Sequence, residues 1–186
     1  RDLMKKEDNY AAAKKAIAKL KENDLLDDKA FMQDLIAWDN ERNFGQNKVV
    51  KHLKDKGIPD TLINKVNFPQ NIERKKAKAL LDKLDRKYAK YAYESKKKHV
   101  YQALVAQGYN HDIAREVTND LKRKNDKVEQ SLLTRDYEKI KSRYEKKYEG
   151  YQLKQKIYAA LVNKGYKYQE IKKVLEDFTY EDDSGF

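Results

Sequence analysis

A chain of 186 residues that is 39% charged and 39% apolar, with a mean hydropathy of -1.08, is too poor in apolar side chains for one large core but suits several small ones. It holds no cysteine, which excludes a disulfide framework, a thiolate metal site and a cysteine nucleophile, and no apolar run nears the roughly 18 residues of a membrane span. The net charge of +11 attracts polyanions or an acidic protein face and says nothing of the fold.

Residues 1–23 read as the last helix of an incomplete first repeat, with Tyr10, Ala13, Ile17 and Leu20 at helical spacing. The sequence opens on Arg1 without an initiator Met, so the start of that repeat is expected upstream. Residues 24–70 read as a three-helix repeat. Asp27 and Asp28 supply cap chemistry, Phe31, Leu35 and Trp38 step along a first helix, and Asn43-Phe44-Gly45 ends it. A second helix carries Val49, Val50 and Leu53 to Gly57, and a third starts near Pro59 and Asp60.

Residues 71–126 repeat the plan. The spacing predicts a long helix from about Glu73 to Tyr93 with Ala77, Leu80, Leu81, Leu84, Tyr88 and Tyr91 as its apolar stripe. Ser95 then reads as the N-cap of a helix through Val100, Tyr101 and Leu104 to Gly108, and Asn110 caps the next. Residues 127–178 do so again, with Leu133, Tyr137, Ile140, Tyr144 and Tyr148, a break at Gly150, then Ile157, Tyr158, Leu161 and Gly165. Residues 179–186 read as a frayed acidic tail. The fold class expected is all-α: tandem three-helix repeats in an elongated curved array, at a period of about 50 residues.

The repeat is visible without gaps. A β-branched residue stands eight before each glycine (Val49, Val100, Ile157), a leucine four before it (Leu53, Leu104, Leu161) and a valine nine after it (Val66, Val117, Val174). Glycine there ends a helix in the left-handed conformation that a Cβ would penalise, so Gly57, Gly108 and Gly165 are expected to have positive φ.

No chemistry of bond making is legible. The three histidines, His52, His99 and His111, have no HExxH or ExxH partner and read as surface residues, and there is no glycine-rich phosphate loop or G-x-S-x-G. An enzyme is therefore not expected, nor a cofactor or metal. Trp38 and the tyrosines Tyr88, Tyr137 and Tyr144 read as core, whereas Tyr93, Tyr151 and Tyr168 lie off the stripes and are better placed for contact.

The charge is uneven. Residues 71–126 carry 15 basic against 8 acidic residues, a net of +7, while the segments before and after carry +2 each. Candidate contacts are accordingly Arg74, Lys75, Arg86, Lys87, Lys90, Lys96, Lys97, Lys98, Lys122, Arg123 and Lys124. Lys96 to Lys98 follow the expected cap Ser95, where helix N–H groups and cations together would hold an anion. Their replacement by Gln is expected to weaken binding and to leave thermal stability unchanged or slightly raised.

The run Leu25-Leu26-Asp27-Asp28-Lys29-Ala30-Phe31, then Asn43-Phe44-Gly45 and Leu53-Lys54-Asp55-Lys56-Gly57-Ile58, resembles the signature of the RecX family. Arg86-Lys87-Tyr88, Lys98, Val100-Tyr101 and Gly108-Tyr109 continue the likeness into the next repeat, over about residues 10–120. The resemblance implies a monomeric regulator that lies in the groove of the RecA–DNA filament. There it would limit filament growth, ATP hydrolysis, strand exchange and repressor cleavage, in the cytoplasm, and would bind DNA without sequence preference. The residues by themselves leave a second reading open, a helical-repeat nucleic-acid-binding protein acting through phosphate contacts alone.

Overall fold

The structure, a computed structural model, describes residues 10–22, 27–123 and 125–182. Among these there is no strand, and the helices in chain order are α1 (Tyr10–Glu22), α2 (Asp28–Glu41), α3 (Gln46–Asp55), α4 (Asp60–Ile63), α5 (Gln70–Lys87), α6 (Tyr93–Ala106), α7 (His111–Asn119), α8 (Asp126–Tyr144), α9 (Gly150–Asn163) and α10 (Tyr168–Asp182). From α2 onward they pack mainly in threes. Each group closes over its own small core: Met32, Val49, Leu53, Ile58 and Ile63 in the first; Ala77, Leu84, Val100, Leu104, Ile113 and Val117 in the second; Leu133, Tyr137, Ile140, Ile157, Leu161 and Ile171 in the third.

The repeat glycines close the second helix of every group. Gly57, Gly108 and Gly165 have φ of 81°, 95° and 89°. The amide of the residue after each (Ile58, Tyr109, Tyr166) reaches back to the leucine carbonyl five positions earlier, which returns the chain for the third helix. Asp27 caps α2 by accepting from the Lys29 and Ala30 amides, and Asn110 caps α7 by accepting from Ile113.

The groups are joined by one device used twice. The start of α3 abuts the Gly108 turn: the Gly45 amide donates to Gln107 O at 2.8 Å and the Asn47 amide to Gly108 O at 2.9 Å. Buried Glu73 of α5 accepts from the Gln46 amide at 2.8 Å, and the Tyr109 hydroxyl donates to Asn43 O at 2.7 Å. At the next joint buried Glu129 of α8 accepts from the Tyr93 amide at 2.8 Å, and the Ser95 hydroxyl donates to Lys164 O at 2.6 Å. Neither α3 nor α6 has a capping side chain of its own, so the following unit supplies the acceptor.

That device corrects the sequence reading of the second unit. α5 stops at Lys87 instead of running to Tyr93, and α6 already starts at Tyr93, with Ala92 at its N-cap position. Ser95 is therefore inside the helix and is not its cap. Ala92 is buried in the core of the third unit, a site for a methyl group and not for a hydroxyl. The core reading of Trp38 is also corrected, since it is exposed, as is Phe31. Met32, Leu35, Ile36 and buried Asp39 face inward from α2, and Phe31 and Trp38 lie roughly a quarter turn round the helix from them. The short α3 and α4 do not reach that far. At the other end α10 runs to Asp182, so Thr179 to Asp182 continue a helix that no glycine or proline interrupts. Residues 1–9, residues 23–26 with the Leu25-Leu26 pair, and residues 183–186 lie outside the described residues.

Candidate functional site

The surplus of basic residues on α5–α7 separates into cations already paired and cations left to solvent. Arg74 Nε donates to Glu116 at 2.6 Å, and Lys78 pairs with Asp120 at 2.8 Å, so α5 and α7 are clamped by two ion pairs. The Asp120 hydrogen bond and charge push the Lys78 ammonium above its ordinary value. Arg123 is tied to Glu170 of α10; burial works against its charge, but that partner outweighs it and raises its value. Lys124 lies outside the described residues.

Lys96 is not a surface contact. It is 2% exposed, and its ammonium lies 2.5 Å from Asp85 Oδ1 on α5. On α6 it falls on the inward face with Val100 and Leu104, positions four and eight further along. It ties the second helix of the unit to the first, so replacing Lys96, Lys97 and Lys98 together by Gln is now expected to lower thermal stability.

Lys75, Arg86, Lys87, Lys90, Lys98 and Lys122 are exposed, and none makes an ion pair with another described residue. Lys75 and Arg86 stand eleven residues apart on α5, which brings them within about 20° round the helix and roughly 16 Å along it. Lys97 and Lys98 line an open depression of about 330 Å³ together with Glu94, Tyr101 and Arg115, and Arg115, which stands 3.6 Å from Asp112, is a member the sequence reading missed. It lies on α7, seventeen positions beyond Lys98, and only the packing of α6 on α7 brings the two together. Arg86, Lys87 and Lys90 do not line that depression. Lys87 and Lys90 lie instead over Tyr88 and Tyr91, which pack with His99 at ring separations of 5.3 and 4.3 Å.

The histidines are less exposed than expected. His52 faces both oxygens of buried Asp39 at 3.0 and 3.1 Å, and His99 is half-buried among the tyrosines. His111 is exposed, its Nδ1 2.7 Å from the Tyr101 hydroxyl. Tyr93 is partly buried: it packs on the second core and its hydroxyl donates to Leu121 O at 2.9 Å. Tyr151 and Tyr168 do face solvent. Among the described residues no group of three or more His, Cys, Asp or Glu side chains is set to hold a metal ion, and no helix is long and apolar enough to cross a membrane.

The family description that matches is "RecX, third three-helix domain", over residues 127–175, which runs from the first turn of α8 into α10. Proteins named "Regulatory protein RecX" match most of the chain. That of Streptococcus agalactiae serotype Ia is 30% identical over 168 residues, covering 87% of this chain and 64% of its own length. That of Lactococcus lactis subsp. cremoris is 30% identical over 167 residues, covering 87% and 62%, and that of Lactococcus lactis subsp. lactis 30% over 179 residues, covering 93% and 66%. The chain thus spans just under two thirds of the length of these relatives. No solved structure matches it.

Proposed function

We propose that this chain, which belongs to the RecX family, is a regulator that binds the RecA–DNA filament and restrains its growth, ATP hydrolysis, strand exchange and coprotease activity. It would act as a cytoplasmic monomer without a cofactor, built of repeats bounded at 24–70, 71–126 and 127–178. Beyond the family relation, the supporting observation is the set of exposed, unpaired cations on the α5–α7 unit, led by Lys75, Arg86 and Lys98. A face of this kind suits acidic side chains and phosphates presented together, as a protein-coated nucleic acid presents them. The ion pairs that hold Arg74, Lys78 and Lys96 keep the unit rigid beneath those cations.

The same cations favour a second reading, direct phosphate binding with no protein contact. Sedimentation of filaments formed by purified RecA on DNA separates the two. Under the filament reading, rising salt abolishes binding to bare DNA well before it abolishes co-sedimentation with filaments. Replacing Lys75, Arg86 and Lys98 with Gln weakens both. Equal salt slopes for bare DNA and filament would leave only the phosphate binder.

A further inference from the structure

The joint between the first two units leaves an open cleft of about 540 Å³, bounded by Trp38 and Arg42 from the end of α2, by Lys48, Lys51, His52 and the acidic Asp55 from α3, and by the Gly108 turn. Trp38 is 42% exposed, although the core of its unit is already filled from the other face of α2. The Arg42 guanidinium carbon stands 3.4 Å from the centre of the Trp38 ring, the spacing of a stacked pair. Stacking leaves the N–H edge of a guanidinium available to an anion. Neither Arg42 nor Lys51 makes an ion pair with another described residue. The Lys48 ammonium is held 3.7 Å over the Phe44 ring and 2.9 Å from Gln107 Oε1, a neutral acceptor, so its charge too is uncompensated. His52 packs tilted against Trp38, ring centres 5.7 Å apart, and is oriented by Asp39, which is fully buried.

We infer that this cleft binds one unpaired nucleotide of single-stranded DNA, its base extending the Trp38–Arg42 stack and its phosphates lying on Lys48 and Lys51. Every base offers a flat face to an aromatic ring or a guanidinium plane, whatever the sequence. A duplex hides that face, and an acidic peptide has none, so cations alone would have served for either. The inference rests on the reading above only in taking DNA as a ligand. It places the base contact on the first unit, away from the basic face of the second.

Trp38 is the chain's one tryptophan, so its fluorescence reads the site without a label. The whole chain is titrated with a short oligothymidylate, with an abasic strand of equal phosphate count, with a hairpin duplex and with polyglutamate. The expected result is saturable quenching by oligothymidylate, with the abasic strand binding about tenfold more weakly and duplex and polyglutamate leaving the ring unquenched. By anisotropy of a labelled strand, Trp38→Ala binds about tenfold more weakly. Trp38→Phe, which keeps a flat ring, stays close to the parent, and Lys51→Gln lowers the salt slope by about one. Equal binding of the abasic strand, equal quenching by polyglutamate, or an unchanged affinity in a folded Trp38→Ala variant would overturn the inference. No recombinase is present, so such a failure removes the cleft and leaves the filament reading to the sedimentation assay.

Discussion

Replacing Gly108 with Ala should separate the first two units, and the structure sets the size of the effect. Gly108 has φ of 95°, where any other residue is strained by about 1–2 kcal/mol. A Cβ there would also stand 2.8 Å from Gly45 O and closer still to the backbone nitrogen and Cβ of Lys48. Neither neighbour can yield without moving the start of α3. Moving it breaks the hydrogen bonds from the Gly45 and Asn47 amides, the Gln46 amide bond to Glu73 and the Tyr109 bond to Asn43 O. At about 0.5–1.5 kcal/mol each, the loss of these four bonds adds roughly 2–6 kcal/mol to the backbone strain. Gly150→Ala is the control: it shares the positive φ, 53°, but a Cβ there meets nothing within 4 Å. It should cost only about 1 kcal/mol. Urea unfolding measures both totals, and hydrogen exchange at the Gly45, Gln46 and Asn47 amides reads the joint directly. Protection should fall at those amides in Gly108→Ala and hold in Gly150→Ala. Equal costs for the two variants, or full protection of the three amides in Gly108→Ala, would refute the joint as described.

Two other expectations concern charge. Lys96→Ala should destabilise by about 2 kcal/mol in a urea or thermal melt, below the roughly 3–5 kcal/mol of a fully buried pair because half-exposed Asp85 can rehydrate, while Lys98→Ala stays within about 0.5 kcal/mol; equal effects would return Lys96 to the surface. Asp136 is buried, which by itself would raise its pKa, but Arg135, Lys164 and the Tyr166 hydroxyl donate to it and hold the carboxyl below its ordinary 3.8. A depressed folded-state value gives stability that is fully present above the unfolded value and is lost as pH falls through the folded one. Asp136→Asn should therefore cost about 1–3 kcal/mol at neutral pH, and thermal melts should show the gap closing as pH falls below about 4. A gap that persists unchanged through that range would exclude Asp136 as the titrating group.

Much of the fold is written locally, and so the sequence discloses it. Helical spacing of Val49 and Leu53, of Val100 and Leu104, and of Ile157 and Leu161 marks three inward faces, and the glycine four residues on ends each helix for a reason confined to its own backbone. Asp27 and Asn110 cap their helices within three residues of themselves. A cap supplied from elsewhere defeats that reasoning, which is why α6 begins at Tyr93 on the carboxylate of Glu129 and not at Ser95. The candidate site depended on such distant partners throughout. Charge counting puts Arg74, Lys96 and Arg123 beside Lys75 and Lys98, but only packing hands them Glu116, Asp85 and Glu170 and takes them off the contact face. Trp38 shares a helical stripe with Phe31 and Leu35, yet short α3 and α4 leave its ring beside Arg42 in the open cleft. Composition and spacing determine which faces turn inward and how much charge a unit carries. Which charges remain unpaired, and which ring remains exposed, is decided by neighbours far away in the chain, because Coulomb attraction and burial act through space and not along sequence.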